Sequence, residues 1–325
     1  MRRPVCLVTG ATGAIGPGVV AAMSATHHVR TLSRRAPDPV AFRVPVEPYT
    51  GDVTDRDAVR RAMHGADVVV HLAALLHIVD PSPTMRTEYE RINVAGTETG
   101  IEAAKAEGVA RVVLMSTIAV YGYAGERLLN EDSPAAPDTL YGETKLAAER
   151  VALAARRTDG QLLTTVLRSA AVYGPRVKGN YQRLVTALAR RRFVPIGRGE
   201  NLRTLIYEDD LAAATALAAI HPAAAGRVYN VSDGTPHRLS EIIDAIATAL
   251  DRPPPRWHVP VAPVRAALRA ASVIDRRLPR MLDKYLEAAA VDASRIQREL
   301  GFQATTGLVD GWRRTIETMR REGRL

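Results

Sequence analysis

The chain of 325 residues has a single cysteine, Cys6, which lies in the first apolar run. An internal disulfide and a cysteine metal cluster are excluded, and a reducing compartment is the natural setting. Phenylalanine is scarce, at 3 residues, and there is no lysine-rich tail or interleaved ladder of basic and aromatic residues. The formal net charge of +9 therefore points less to nucleic acid than to a phosphate-bearing small molecule. No apolar run approaches the roughly 20 residues a membrane-crossing helix needs. The apolar stretch in "MRRPVCLVTG" stops at Thr9-Gly10, too short for a signal peptide. A cytoplasmic protein with neither nucleic-acid nor membrane partner is expected. Internal repeats and low-complexity segments are missing, and none of the 8 histidines has a partner at metal-ligand spacing, so no metal is expected.

What is present is a strand-helix rhythm. "VCLVTG" (5–10), "HVRTLS" (28–33), "DVVVHLAA" (67–74), "RVVLMST" (111–117) and "LLTTVLRS" (162–169) read as strands, with helical patterns near 15–25, 55–64, 85–107 and 139–157. Their hydrophobicity is continuous rather than alternating, which marks strands covered on both faces. The expected fold is α/β, a doubly wound parallel sheet of Rossmann type with a smaller C-terminal substrate lobe. Residues 1–173 form the first domain, with 204–230 returning to it; 174–203 and 231–325 form the lobe. Beyond about Gly174, strands are expected at "RTLIY" (203–207) and "GRVYNVS" (226–232), helices near 208–220 and 239–250, and a proline-rich connector over 251–263.

"VTGATGAIG" runs from the first strand into a helix and spaces Gly10, Gly13 and Gly16 three and three. Such a turn lets backbone N–H groups approach a pyrophosphate at a helix start, where side chains would obstruct them. In "LYGETKLAAER", Tyr141 and Lys145 stand four apart on a helical pattern and share a face. Alone, that pair reads as an exposed phenol beside a solvated ammonium.

Together, T-G-x-x-G-x-x-G and the downstream Tyr-x-x-x-Lys resemble the short-chain dehydrogenase/reductase superfamily, and the chain length and C-terminal lobe point to its extended branch of nucleotide-sugar epimerases and dehydratases. The resemblance covers nearly the whole chain, through "GDVTD", "VVHLAA", "NVAGT", "STIAVYG", "LYGETK", "LRSAAVYGP", "LRTLIYEDDLA" and "YNVSDG" in family order. It implies Tyr141 as the acid/base, Lys145 as the residue that lowers its pKa and holds the nicotinamide ribose, and Thr117 as the hydroxyl on the reacting oxygen. Ser116, pointing to the other face of the strand, ranks behind Thr117. A free phenol near pKa 10 is a poor base at neutral pH, so Tyr141 is expected to titrate below it under the influence of Lys145. Cofactor contacts are implied for Gly10, Thr12, Gly13, Ala14, Ile15, Gly16, Ser33, Arg34, Asp52, Val53, Leu72, Ala73, Ala74 and Asn93, with Tyr141 and Lys145. His71 is expected at a strand end near the cofactor.

An NAD enzyme usually carries an acid after its second strand, for the adenosine ribose. Here "TLSRRAP" offers Ser33 followed by Arg34 and Arg35. A guanidinium can grip a 2′-phosphate that a carboxylate would repel, so NADP(H) is favoured and NAD(H) stays open. Both arginines also read as solvated strand-end residues. Asp52 resembles the residue that touches the adenine ring.

By the same resemblance Arg203 faces the diphosphate of a nucleotide sugar, with Asn180 as a nearby polar contact and Lys178 and Arg183 behind them, while the arginines of 190–192 close a helix at its negative end. The 4,6-dehydratases carry an Asp-Glu pair after the Thr, the sugar-acid decarboxylases a Glu two residues after it, and the 3,5-epimerase/4-reductases a nearby Cys. This chain has Ile118, Ala119 and only Cys6. What remains is NAD(P)-dependent hydride chemistry at C4, with 4-keto reduction favoured. A 4-epimerase, a reductase of a non-sugar natural-product ketone and a non-catalytic dinucleotide sensor are the alternatives. A homodimer through the helices at 85–107 and 139–157 is the implied assembly.

Overall fold

A computed structural model describes residues 2–36, 41–76, 82, 84–123, 125, 127–271 and 277–325. The first strand, β1 (Val5–Thr9), is buried along its whole length and turns through glycines into α1 (Gly16–Ser24). There follow β2 (His28–Ser33), β3 (Glu47–Thr50), α2 (Arg56–Met63) and β4 (Val68–His71). The next helix is broken: α3 (Met85–Tyr89) passes through a π-helical turn, Glu90–Ala95, into α4 (Gly96–Ala106). Then come β5 (Arg111–Thr117), a 3-10 turn at Ile118–Tyr121, α5 (Leu140–Ala154) and β6 (Thr164–Ser169).

Beyond β6 lie β7 (Ala171–Tyr173), α6 (Asn180–Ala189), β8 (Leu202–Arg203), β9 (Leu205–Tyr207), α7 (Glu208–Ile220), β10 (Val228–Val231) and β11 (His237–Arg238). The chain closes with α8 (Leu239–Ala249), α9 (Val261–Ala271), α10 (Arg277–Leu286), α11 (Ser294–Leu300) and α12 (Leu308–Arg321).

Among the described residues, seven strands form one sheet in the order β10-β6-β5-β4-β1-β2-β3, every neighbouring pair parallel. Alternate residues of one strand feed opposite cores. Cys6, Val8, Val68 and Val70 pack with α1, α7 and α11, while Leu7, Val69, Val112 and Leu114 pack with α2, α4 and α5. Each such Val or Leu stabilises the fold by about 1.5–3 kcal/mol, which is why these strands read as unbroken apolar runs. The order reverses between β1 and β4, and ligands of such sheets bind in the crevice at that point. A third core joins β7, β9, α6, α8 and α12 around Trp312, whose ring lies 4.4 Å from that of Tyr173.

Some elements differ from the sequence expectation. The edge strand β3 went unseen because its burial alternates and it carries Pro48. "RTLIY" divides at Thr204: β8 pairs antiparallel with β11, and β9 parallel with β7. The connector ends earlier than 263, since α9 begins at Val261 with Pro263 in its first turn. No described helix is long and apolar enough to cross a membrane.

Candidate active site

The glycine turn opens at the carboxyl end of β1. Gly10 has a φ of +69°, and a Cβ there would lie 2.7 Å from the backbone nitrogen of Ala73. Only glycine fits this crossing of the turn with the segment leaving β4. Gly13 N–H bonds Gly10 O at 2.9 Å and Gly16 N–H bonds Gly13 O at 3.1 Å, which coils the turn into α1. Thr12 and Gly13 are exposed on its outer side, whereas Ala14 and Ile15 are half-buried. Opposite, Leu72 N–H donates to Thr9 O at 3.2 Å and Ala73 N–H to Thr9 Oγ1 at 3.4 Å, with Ala74 following.

At the end of β2, the Ser33 hydroxyl is buried with no hydrogen-bond partner among the described residues. Arg34 beyond it is exposed. Burial pushes the Asp52 carboxyl up, but hydrogen bonds from Thr54 and the charges of Arg91 and Arg34 hold it below its ordinary value. Val53 is a core residue: its side chain packs with α2 and α4 and faces Gly96. The Asn93 amide is engaged within the protein. Its Oδ1 accepts from Leu75 N–H at 2.7 Å, and its Nδ2 donates to Leu75 O at 3.2 Å and Thr144 Oγ1 at 3.1 Å. Asn93 thus clamps the segment after β4 onto α5.

The catalytic candidates meet between β5 and α5. Thr139 caps α5 by accepting from Gly142 N–H at 3.1 Å, which places Tyr141 in the first turn. A Cβ on Gly142 would lie 2.6 Å from Ala119 O, so α5 abuts the 3-10 turn that follows β5. There the Thr117 hydroxyl hydrogen-bonds the Tyr141 phenol. One turn on, Lys145 is 3% exposed and donates to Met115 O at 2.6 Å. Burial pushes Lys145 down to about 8, opposed by the negative charge of Glu149. His71 is buried and bonded through Nδ1 to Thr9 Oγ1 at 3.0 Å; burial and the Lys145 charge push it down to about 3, so it is neutral.

The expectation for the phenol is corrected. Burial pushes Tyr141 up to about 12, and the Thr117 hydrogen bond only partly offsets this. Lys145 donates to the Met115 carbonyl and is not among the groups that shift the phenol, which burial and then Tyr89 raise. Ser116 turns away from Tyr141 and donates to Glu149 Oε1 at 2.5 Å.

On the lobe side, Asn180 is exposed at the start of α6 and lines a cavity of about 40 Å³ with Tyr173, Lys178 and Trp312. Arg203 is held by α10, its Nη2 donating to Lys284 O at 2.8 Å and Tyr285 O at 3.0 Å. Its Nε is buried without a partner among the described residues, and its charge reaches Tyr181 beside Asn180.

Residues 6–232 match the sequence model of the NAD dependent epimerase/dehydratase family. The chain belongs to this family. It is 32% identical to a dTDP-glucose 4,6-dehydratase of Streptomyces griseus, over 95% of this chain and 92% of that one. It is 29% identical to a UDP-glucose 4-epimerase of Vibrio cholerae, over 96% of this chain and 94% of the relative. Among solved structures, MoeE5 in complex with UDP-glucose and NAD is similar with a TM-score of 0.77 and 31% identity, covering 98% of this chain and 99% of that one. The fold is thus the Rossmann-type sheet of an NAD-dependent epimerase/dehydratase enzyme.

The residues present fit the dinucleotide of this family. The backbone crossing at Gly10 leaves a turn with glycine at every third position at the start of α1, where a pyrophosphate is held by N–H groups. The orphaned Ser33 hydroxyl and the Asp52 carboxylate stand further along the same mouth of the sheet, suited to ribose and adenine.

Proposed function

We propose that this chain transfers hydride at C4 of a nucleotide-activated sugar, with reduction of a 4-keto group as the favoured direction. One observation carries the reading: the Thr117 hydroxyl bonded to the Tyr141 phenol, with buried Lys145 one turn along the same helix. A bound nicotinamide would supply or accept the hydride. The chain's own residues do the rest. Thr117 aligns the substrate oxygen, Tyr141 delivers a proton to it, and Lys145 uses N–H groups beyond the one given to Met115 to hold the ribose. A phenol pushed up to about 12 stays protonated at neutral pH, as a donor to a carbonyl oxygen must.

The similarity to the Streptomyces griseus 4,6-dehydratase speaks for dehydration, and the residues after Thr117 speak against it. Ile118 packs against the apolar group of Val120, Tyr121, Leu129 and Val291, at the place where the resemblance sets a dehydratase carboxylate. Epimerisation at C4 is the second reading, favoured by the similarity to the Vibrio cholerae 4-epimerase. It uses the same residues, with Tyr141 first removing a proton and later returning it.

The UDP-glucose in the MoeE5 complex makes UDP-sugars the first probes, with Arg203 as the candidate for the diphosphate and Asn180 as a further polar contact. NADP(H) is the favoured cofactor because Ser33 and exposed Arg34 stand where an acid would select NAD(H). A homodimer through α4 and α5 belongs to the same reading, and light scattering tests it.

The decisive experiment incubates the protein with UDP-, dTDP-, GDP- and CDP-sugars and reduced cofactor, following absorbance at 340 nm and the products by NMR. Net loss of absorbance with a C4 alcohol as product supports reduction. A C4 epimer without net loss shifts the reading to epimerisation. Binding of none of these sugars overturns a nucleotide-sugar substrate and leaves a non-sugar ketone.

A further inference from the structure

Behind Lys145, on the side away from the mouth of the sheet, lies a buried charged assembly that the mechanism above does not use. Glu149 follows Lys145 by one turn of α5 and is 1% exposed. Arg168 of β6 donates to it through Nε, at 3.1 Å to each carboxylate oxygen, and through Nη2 at 2.7 Å to Oε2. Ser116 of β5 adds its 2.5 Å bond to Oε1. Ser116 and Arg168 are direct neighbours across the β5–β6 pair, so one rung of the sheet grips both oxygens of one carboxylate. The Arg168 guanidinium is stacked over the Tyr121 ring at 4.8 Å, and the Tyr121 hydroxyl is fixed by Asn230 Oδ1 at 2.8 Å.

An ion pair this deep is costly to assemble and is weak as a stability device. Its value lies in what it fixes. Arg168 neutralises Glu149 and holds it rigidly, so Glu149 cannot swing forward to form a direct bond with Lys145. It acts on Lys145 from one helical turn away and leaves the Lys145 N–H groups to Met115 O and to the mouth of the sheet. The other groups facing Lys145 are His71 on β4, which is neutral, and Tyr141 on its own helix, which stays protonated. Glu149 is therefore the carboxylate that acts on Lys145, and it does so from within its ion pair with Arg168.

We propose that Glu149, locked by Arg168 and Ser116, is a positioning residue that keeps Lys145 protonated and aimed at the cofactor side of the site. The inference rests on the reading of Lys145 as a cofactor-holding residue, and its test separates the two ideas.

The chain has only four lysines, Lys105, Lys145, Lys178 and Lys284, so lysine labelled with ¹³C at Cε gives four NMR signals, with Lys145→Arg assigning the buried one. The expected result in the cofactor-free protein is that Glu149→Gln lowers the Lys145 pKa by roughly 1–3 units, the usual effect of removing an opposite charge at such range. Glu149→Gln strands a buried guanidinium, so the double variant Glu149→Gln/Arg168→Met is measured alongside it and is expected to move Lys145 the same way. An unchanged Lys145 pKa in the folded variants overturns the proposal, whatever happens to activity. The dissociation constant for NADPH and NADH at pH 7, read by nucleotide fluorescence, completes the test. A lowered pKa with weakened binding supports both ideas, and a lowered pKa with unaltered binding keeps the Glu149–Lys145 coupling but removes Lys145 from the cofactor site. A pH profile of binding whose alkaline limb moves down with the NMR pKa is the signature that a merely structural Glu149 would not give.

Discussion

Asn93 holds Leu75 by both ends of its backbone unit, accepting from its N–H at 2.7 Å and donating to its carbonyl at 3.2 Å. The side chain issues from the π-helical turn at Glu90–Ala95, where the extra residue rotates Asn93 inward. Replacing it by Ala leaves two backbone groups and Thr144 short of a partner. Asn93→Ala should lower unfolding free energy by about 1–3 kcal/mol and weaken cofactor binding, since Leu72 and Ala73, just before Leu75, face the glycine turn. Denaturant melts and cofactor titration check both. Loss of stability with unchanged affinity would limit Asn93 to the core.

Gly142 yields a prediction of unusual sign. Gly to Ala within a helix normally stabilises by roughly 0.5–1 kcal/mol. Here the new methyl would meet the backbone oxygen of Ala119 at 2.6 Å, with Pro137 Cβ at 2.9 Å and Thr139 Oγ1 at 3.2 Å. Gly142→Ala should instead lower the melting temperature and reduce turnover sharply by tilting the start of α5 away from Thr117. A variant that melts higher and turns over normally would show that α5 has room to spare.

Arg34→Ala tests cofactor choice. If Arg34 grips a 2′-phosphate, its loss should raise the NADPH dissociation constant by roughly 10–100-fold, the worth of a charge-assisted contact of about 1.5–3 kcal/mol, while NADH is unaffected. Equal effects on both nucleotides, or none, would return Arg34 to a solvated strand end.

How much of this was legible in the sequence differs by element. The strands β1, β4 and β5 were readable because burial on both faces leaves no polar residue to interrupt the run. β3 was not, because none of its four residues is fully buried and it carries Pro48. The glycine turn and the Tyr141–Lys145 pair are local, so their spacing was visible, and the family resemblance gave the pair its role. Glu149 lies four residues beyond Lys145, a spacing visible in "YGETKLAAE", yet its partner Arg168 comes from another strand, and only the fold joins them. The phenol pKa was misjudged for a related reason: spacing reports a nearby cation, whereas the depth of burial that raises the phenol is a property of the assembled site.

Lys145 sets a pH limit. Its folded value near 8 lies below the ordinary 10.5, so the burial penalty is present in full below about pH 8 and is relieved as pH rises from 8 to 10.5. The contribution of this group to stability should therefore rise with pH across that window, read as the difference in unfolding free energy between parent and Lys145→Met. Cofactor affinity should move the opposite way, falling above about pH 8 as the ammonium loses its proton. Affinity that is flat to pH 10 would show that the charge of Lys145 is not used in binding.

Tyr141→Phe removes one oxygen and leaves the ring in its buried place, so fold and dinucleotide affinity should change little. Turnover on an identified substrate should fall by roughly 10²–10⁴, the usual worth of a positioned proton donor. Thr117→Val should lose less, because it removes alignment and leaves the proton. The two effects should fall short of adding, since the hydroxyls are bonded to each other and act as a unit. The alkaline limb of the parent profile should be governed by Lys145, with the phenol ionising only well above it, unless a positively charged oxidised nicotinamide in place draws the phenol down. Comparing the Tyr141 titration in the cofactor-free protein and in its complex with oxidised cofactor, by ¹³Cζ NMR against Tyr141→Phe, decides that point. A phenol that titrates near 12 in both states suits a donor for reduction and argues against a base for oxidation at neutral pH, so this measurement also weighs 4-keto reduction against 4-epimerisation. Near-parental turnover of Tyr141→Phe would instead remove Tyr141 from the chemistry altogether.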